Sequence, residues 1–278
     1  MQLASKPWFR LLSLAAMVYV GLAAVIYVKQ RSLLYFPTRL TAAELQPLAA
    51  EHDYHPWTNA AGLRIGWWRP ADGRSTGTVM VAHGNASLAV RREHLTVPIQ
   101  SCRAFDVFVL EYPGFADRPG EPTQDSLFAA AEEGFALIAP RPGPLLLVGE
   151  SLGTGVASFL AGRHAERLSG LVLLAPFTRL SDAAAIHYPW LPIRLLLKDT
   201  YPSVDYLRDY RGPLAVLIGE ADSTVPARLG RALHDAYPGP KRLWSFPGQE
   251  HWEVIQQPAD IWLDVLRFLE APANPQRN

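Results

Sequence analysis

The sequence predicts an α/β fold in which helices cover both faces of a mostly parallel sheet. Short, continuously apolar runs recur along the chain, as at residues 107–110, 145–149 and 214–218. Strands that are buried on both faces have this composition. Helix-like stretches separate most of these runs, which is the order of parallel βαβ units. The chain has 278 residues, 49% of them apolar and 19% charged, and is long enough for one large domain with a filled core.

The first element is an uncharged apolar run at residues 11–28. As a helix it would be about 27 Å long, close to the bilayer core thickness of roughly 30 Å. Basic residues bracket the run: Lys6, Arg10, Lys29 and Arg31. We therefore expect a transmembrane anchor within residues 1–30 and a globular domain over residues 31–278.

A cleavable signal peptide is the main alternative to the anchor. Small residues at 21–24 offer a cleavage site that would remove residues 1–24. The apolar run continues to residue 28, however, and is longer than a usual signal core, which favours an uncleaved anchor. The basic residues on the two sides nearly balance, and the short N-terminal tail favours an inside N-terminus with the globular domain on the exported side.

The globular domain is predicted to alternate between strands and helices. Residues 31–48 form a connector in which Pro37 and Pro47 interrupt any long helix. Strands are predicted at 63–68, 78–82, 106–110, 145–149, 171–174, 214–218 and 241–246. Helices are predicted at 91–100, where Pro98 limits the end, and at 125–138, 152–163, 226–236 and 258–270.

Residues 177–210 break this alternation, because they are too long for a simple connection between two strands. We interpret them as a small lid over the sheet edge. Their apolar side chains either line an acyl pocket or anchor the lid to the core, and packing is the more general reason for such residues.

A G-x-S-x-G pattern at residues 149–153 follows the apolar run 145–148 and precedes a helix-like stretch. A sharp turn from strand to helix holds such a serine in a strained conformation with its hydroxyl exposed, and the flanking glycines avoid collisions. Ser151 is therefore the predicted nucleophile, although an ordinary turn can also match the pattern.

A serine hydroxyl needs a histidine base and a carboxylate that orients the histidine. His251 follows the last predicted strand and Asp222 follows strand 214–218, so both lie where a sheet edge would bring them to Ser151. The competing carboxylates are Glu220, Asp205 and Asp209, and the competing histidines are His187 and His234.

Two backbone N–H groups should face the negative charge that develops on the substrate oxygen. We expect them from Leu152, directly after the serine, and from Asn85 in the loop after strand 78–82. Gly84 permits a close backbone approach in that loop, and His83 is interpreted as a structural hydrogen-bonding residue.

In their order these motifs resemble the α/β-hydrolase superfamily, in particular its small membrane-anchored serine hydrolases with a short lid. The order serine, aspartate, histidine is the one found on that fold. The loop at 83–85, the stretch 112–115 and the juxtamembrane stretch 31–37 also match, over roughly residues 30–270. Glu111 and Pro113 depart from the family, which usually has aspartate and arginine there, so substrate contacts near that loop are expected to differ.

The resemblance and the candidate triad together predict a membrane-anchored serine hydrolase. It would cleave carboxylic esters or thioesters through an acyl-enzyme, and its partners would be the membrane and a small-molecule or lipid-like acyl substrate. A serine peptidase and a catalytically silent binding protein are the alternatives.

Other classes of function find little support. The net charge is zero and no long basic run occurs, so no nucleic acid is expected as a partner. No cofactor is expected. The pair His52 and His55, interpreted as lying in a loop, lacks the clustered ligands of a metal site, and the single cysteine excludes an internal disulfide.

Overall fold

The computed structural model describes residues 7–271. Lys6 and the residues before it, and residues 272–278 of the predicted globular domain, lie outside that range. The first helix, α1, spans Pro7–Leu34 and is longer than the run predicted for the anchor. By length and composition it is the one helix in the described range that could cross a membrane. The most apolar part of α1 is not buried in the rest of the protein.

An eight-stranded sheet forms the centre of the globular domain. Its strands are β1 (His55–Thr58), β2 (Arg64–Arg69), β3 (Gly77–Ala82), β4 (Phe105–Leu110), β5 (Leu145–Glu150), β6 (Gly170–Leu174), β7 (Leu214–Gly219) and β8 (Lys241–Phe246). They lie in the order β1-β2-β4-β3-β5-β6-β7-β8. The strands β3 to β8 are parallel, and β2 runs antiparallel to β1 and β4. The predicted fold class is thereby confirmed.

Helices cover both faces of this sheet. They are α2 (Ala42–Glu51), α3 (Glu93–Cys102), α4 (Gln124–Ile138), α5 (Leu152–Arg163), α6 (Leu180–His187), α7 (Ile193–Leu196), α8 (Ser203–Tyr206), α9 (Ala227–Ala236), α10 (His251–Val254) and α11 (Ala259–Glu270). Side chains alternate between the faces of a strand. Leu147 of β5 thus joins a core with α4, α5 and α9, whereas the next residue, Val148, joins a second core with α2, α3 and α11.

Three predictions about local structure were wrong. Residues 42–51 form α2, which overlaps the end of the connector predicted at 31–48, since Thr41 and Glu44 cap each other reciprocally and Pro47 is accommodated inside the helix. The helix predicted to be limited by Pro98 continues to Cys102. His52 and His55 do not share a loop: His52 caps the end of α2, and His55 begins β1 at the sheet edge.

The 177–210 segment contains α6, α7 and α8 and packs against both α5 and α1. Tyr201 lies so close to Gly155 of α5 that a Cβ there would be 2.7 Å from the tyrosine ring. Asp199 accepts hydrogen bonds from Arg31 (3.1 Å) and from the Tyr35 hydroxyl (3.0 Å). The C-terminal end of α1 is therefore fixed to the globular domain through this segment.

Candidate active site

Ser151 occupies a strained turn between β5 and α5. Its backbone has φ 51° and ψ −116°, a conformation that costs energy for a residue with a side chain. The turn brings its neighbours very close. A Cβ on Gly149 would lie 2.7 Å from the carbonyl oxygen of Gly153, and a Cβ on Gly153 would collide with the carbonyl of Ala82. Both glycines are therefore required by close packing, as the pattern at 149–153 predicted.

Ser151, His251 and Asp222 are joined by hydrogen bonds. The Ser151 Oγ lies 3.0 Å from His251 Nε2, and His251 Nδ1 lies 2.7 Å from Asp222 Oδ2. His251 is the first residue of α10, and Asp222 follows the end of β7. The structure thus brings His251 into contact with Asp222, 29 residues before it, and with Ser151, 100 residues before it.

The Asp222 carboxylate is oriented by the backbone as well as by His251. It is buried, and its Oδ1 accepts hydrogen bonds from the N–H groups of Thr224 (2.9 Å) and Val225 (2.7 Å). Oδ2 is left to face His251. With both oxygens engaged in this way, the carboxylate holds the imidazole in the tautomer that carries its proton on Nδ1, which leaves Nε2 free to accept a proton.

Two of the three competing carboxylates are paired elsewhere. Glu220 pairs with Arg231 and Ser245 at the outer side of β8, and Asp205 pairs with Arg179 and Arg208. Asp209 forms no ion pair within residues 7–271. None of the three contacts His251.

The competing histidines also lie outside the hydrogen-bonded chain. His187 contacts the carbonyl of Thr224 (2.8 Å), and His234 contacts Asp235 (2.9 Å).

Two backbone N–H groups next to Ser151 have no acceptor within the described part of the chain. They belong to Leu152, at the start of α5, and to Asn85, in the turn after β3. The two loops touch, because a Cβ on Gly84 would lie 3.4 Å from the Ser151 Cβ and 2.8 Å from Glu150 Oε1. Unpaired N–H groups beside a serine hydroxyl are the donors that an oxyanion requires.

The loop that carries Asn85 is held from behind by a buried polar network. The His83 ring contacts the carbonyl of Gly84 through Nδ1 (2.7 Å) and Glu111 through Nε2 (3.3 Å). Glu111 also accepts from the Ala89 N–H, and the Tyr112 hydroxyl donates to the His83 carbonyl. Glu111, where the chain departs from the usual family residue, therefore supports this loop and does not line the cavity described below.

A buried ion pair lies directly behind the serine. Arg92 donates to both oxygens of Glu150 at 2.8 Å, and His94 Nε2 lies 3.6 Å from the same carboxylate. Burial opposes ionisation of Glu150, but the Arg92 charge and the contact with His94 outweigh it, so the pKa of Glu150 falls to about 2. Sequence reasoning missed this pair, although the charged residue inside the G-x-S-x-G pattern was a visible signal.

A cavity of about 600 Å³ opens at Ser151 and His251. Its walls include the oxyanion loop at 84–88, the start of α3 at 91–94, and Trp252 and Ile255 after His251. Phe36 and Thr38, which follow α1 directly, complete the wall, so the end of the apolar helix borders the cavity. Arg91 also lines it, is exposed, and has no acidic partner among residues 7–271.

No cluster of three or more histidine, cysteine, aspartate or glutamate residues suited to a metal ion occurs between residues 7 and 271. His55 contacts Asp53 at 3.5 Å at the exposed sheet edge.

Comparisons with known proteins give the family. A family model described as serine aminopeptidase, S33, matches residues 73–205. The chain is 33% identical over 263 residues to the uncharacterized protein Rv2307c of Mycobacterium tuberculosis, with 92% of each chain covered. It is 29% identical to the lysophosphatidylserine lipase ABHD12 of Mus musculus over 64% of this chain, and it spans half of that relative's length.

Solved structures agree at the level of the fold. The esterase Pf2001 of Pyrococcus furiosus superposes with a TM-score of 0.62 over 84% of this chain and 98% of its own, at 20% identity. The chain therefore belongs to the α/β-hydrolase superfamily, as its motifs indicated, and is a hydrolase.

Proposed function

We propose that the protein is a membrane-anchored serine hydrolase that cleaves carboxylic esters or thioesters through an acyl-enzyme. The observation that carries the proposal is the hydrogen-bonded chain from Ser151 through His251 to Asp222, which ends in a cavity large enough for a substrate. A silent binding protein has no need for this arrangement or for the strained backbone at Ser151.

In the proposed mechanism His251 Nε2 takes the proton from Ser151 as Oγ attacks the substrate carbonyl carbon. Asp222 stabilises the imidazolium that forms, and the N–H groups of Leu152 and Asn85 donate to the oxyanion. The imidazolium then protonates the leaving alcohol or thiol. Water, deprotonated by His251, attacks the acyl-enzyme carbonyl. The bond to Ser151 Oγ then breaks, the acid is released, and the imidazolium returns the proton to Oγ.

Activity-based labelling tests this proposal. A fluorophosphonate probe should label the wild-type membrane fraction, and Ser151→Ala should lose both labelling and ester turnover. Ser158→Ala is the matched control, since Ser158 lies in α5 outside the cavity and should leave labelling unchanged. Labelling of the Ser151→Ala protein at the wild-type rate would refute the assignment.

We propose a lipid-like ester as substrate. Apolar side chains such as Phe36, Leu88 and Ile255 line the cavity together with the Arg91 guanidinium. An acyl chain suits the first group and an anionic headgroup suits the second. The relative ABHD12, described as a lysophosphatidylserine lipase, supports the same class. Comparing turnover of lysophospholipid and short nitrophenyl esters would test it.

We further propose that residues 1–30, which include most of α1, are an uncleaved single-pass anchor, with residues 31–278 exported as the catalytic domain and the 177–210 segment as its lid. Contacts on both sides of the alternative cleavage site support an uncleaved helix. Tyr19 donates to the carbonyl of Trp190 (2.9 Å), and Gln30 accepts from the Lys198 N–H (2.7 Å). The mass of the mature protein tests cleavage, and protease protection in oriented membranes tests the exported side.

A peptidase is the second candidate, favoured by the description of the matching family model. An aminopeptidase would need a carboxylate for the substrate ammonium, and Glu93 lines the cavity. Amide and ester substrates with the same acyl group separate the two: faster cleavage of the amino-acid amide would favour the peptidase.

A further inference from the structure

We propose that residues 188–197 of the 177–210 segment are immersed in the lipid bilayer beside α1. We call these residues the apolar strip. The proposal rests on the proposed membrane anchor and goes beyond it, because it assigns a second part of the chain to the bilayer. The occupant of this surface is the lipid of the leaflet nearer the catalytic domain.

The apolar strip runs along the part of α1 that the anchor proposal places in the membrane. Tyr19 contacts Trp190 at one end, and Gln30 contacts the Leu196 carbonyl (3.2 Å) at the other. Between them, Ala23 and Ile26 are partly covered, while most residues around them are exposed. Positions 19, 23, 26 and 30 fall on one face of a helix, so the strip packs along one side of α1.

The length of this contact sets the depth of the strip. Tyr19 lies nine residues before Val28, about 14 Å along the helix axis at 1.5 Å per residue. If residues 11–28 cross a hydrocarbon core of roughly 30 Å, Trp190 lies well inside it and not at the water surface. A helix that spans the membrane therefore carries the strip into the lipid with it.

The side chains of the strip suit this environment. Leu195 is 85% exposed, and Tyr188 and Trp190 are 50% and 49% exposed, although all three have large apolar surfaces. Leu191 and Ile193 turn inward and are buried, which fixes the strip to the protein. Its single charged residue, Arg194, pairs with Asp182 at 2.8 Å. In water such an exposed apolar surface would be unfavourable, whereas in lipid it is not.

The backbone of the strip also suits lipid, where an unpaired polar group costs several kcal/mol. Pro189 and Pro192 have no N–H group to satisfy. The N–H groups of the other strip residues bond within the segment in most cases: Leu191, Ile193, Leu195, Leu196 and Leu197. The carbonyls of Trp190 and Leu196 accept from α1. Most of these polar groups are therefore paired within the protein, which lowers the cost of placing the strip in lipid.

Depth-dependent fluorescence quenching tests the proposal on the full-length protein. With Cys102→Ser as the background, single cysteines are introduced by Leu195→Cys, Val18→Cys and Leu137→Cys and labelled with nitrobenzoxadiazole. All three residues are exposed, and Leu137 lies at the end of α4, which leads to the start of β5 on the sheet edge opposite Ser151. Each protein is reconstituted in phosphatidylcholine vesicles that contain lipids spin-labelled on the acyl chain.

We expect the probes at residues 195 and 18 to emit at shorter wavelength and to be quenched, and the probe at residue 137 to be unquenched. Quenching at residue 18 should be strongest with spin labels deep in the acyl chain and quenching at residue 195 with shallower labels, because Leu196 contacts Gln30 near the end of the proposed span. Quenching at residue 18 with none at residue 195 would overturn immersion of the strip and leave the anchor intact. Absence of quenching at residue 18 would overturn the anchor and the strip together. Because the vesicles contain no other protein, a shifted emission at residue 195 cannot be caused by contact with a protein partner.

A kinetic comparison provides a second test. Leu195→Asp should lower turnover of an ester presented in vesicles severalfold and leave turnover of a water-soluble short-chain ester unchanged, because Leu195 does not line the cavity. Leu137→Asp is the matched control and should change neither. Equal losses on both substrates in Leu195→Asp would show a general structural defect and would contradict a role of the strip in lipid.

Discussion

The substitution Asp222→Asn tests the proposed roles of three residues at once. The side chain would keep its shape, but one oxygen would become an NH₂ group. If that group replaces Oδ2, the remaining oxygen keeps its two hydrogen bonds from Thr224 and Val225. In the opposite orientation two buried backbone N–H groups would lose their acceptor, at a cost of about 1–3 kcal/mol each. The backbone therefore forces the NH₂ group to face His251.

An NH₂ group facing Nδ1 requires the imidazole to carry its proton on Nε2. That nitrogen then donates to Ser151 Oγ and cannot accept its proton. The loss caused by a wrong tautomer in such triads is about 10⁴-fold in kcat. It corresponds to about 5 kcal/mol of transition-state stabilisation.

The assay is steady-state hydrolysis of a nitrophenyl ester, together with the rate of fluorophosphonate labelling and a thermal unfolding curve. Glu220→Gln, at the nearest competing carboxylate, is the control and should retain full activity because Glu220 contacts Arg231 and Ser245 instead. A folded Asp222→Asn protein with activity within tenfold of the wild type would refute the reasoning.

Three further substitutions give distinct outcomes. Gly153→Ala should lower the free energy of unfolding by about 1–3 kcal/mol or more and abolish labelling, because the new Cβ meets the Ala82 carbonyl; an active, equally stable variant in urea denaturation would contradict this. Glu150→Gln should be less stable than the wild type at pH 7, because Arg92 loses its buried partner. Since the folded-state pKa of Glu150 is lowered from 4.5 to about 2, this deficit of about 3 kcal/mol should be complete above pH 4.5 and shrink as the pH falls towards 2. A deficit in urea denaturation that is independent of pH would be inconsistent with an ionised Glu150. Arg91→Ala should lower kcat/KM for an anionic lysophospholipid by about tenfold relative to a neutral monoacylglycerol, because hydrogen bonds to charged groups contribute about 1.5–3 kcal/mol; equal losses on both substrates would argue against a headgroup role.

The sequence was informative wherever a local pattern reports directly on structure. Short segments rich in apolar residues located β2 to β8 to within about a residue at each end. The elbow at Ser151 was visible because its two glycines are imposed by close packing. The structure then joins to Ser151 the aspartate and histidine chosen by their places after β7 and β8. Their catalytic roles stay a prediction.

The features that were missed depend on contacts distant in sequence. The strand β1 has only four residues, one of them a proline, and exists because it pairs with β2 at the sheet edge. The helix α2 does have a local start signal, the pattern Thr41-x-x-Glu44, but the prediction rested on Pro37 and Pro47 and overlooked it. For the pairing of Arg92 with Glu150, 58 residues apart, the charge at Glu150 was visible in the sequence, but nothing local identified Arg92 as its partner.

Asn85 determines where a soluble form of this enzyme can begin. Its side-chain NH₂ donates to the Leu34 carbonyl (2.6 Å), and its Oδ1 accepts from the Phe36 N–H (3.0 Å). A shortened protein that starts after residue 36 deprives this side chain of these two partners. Of its side-chain hydrogen bonds within residues 7–271, Asn85 would then keep only the one from the Ala86 N–H (3.1 Å) to its Oδ1, and its side chain would no longer be held against the end of α1. Protein engineers should therefore keep the last turn of the helix and detach only the part before it.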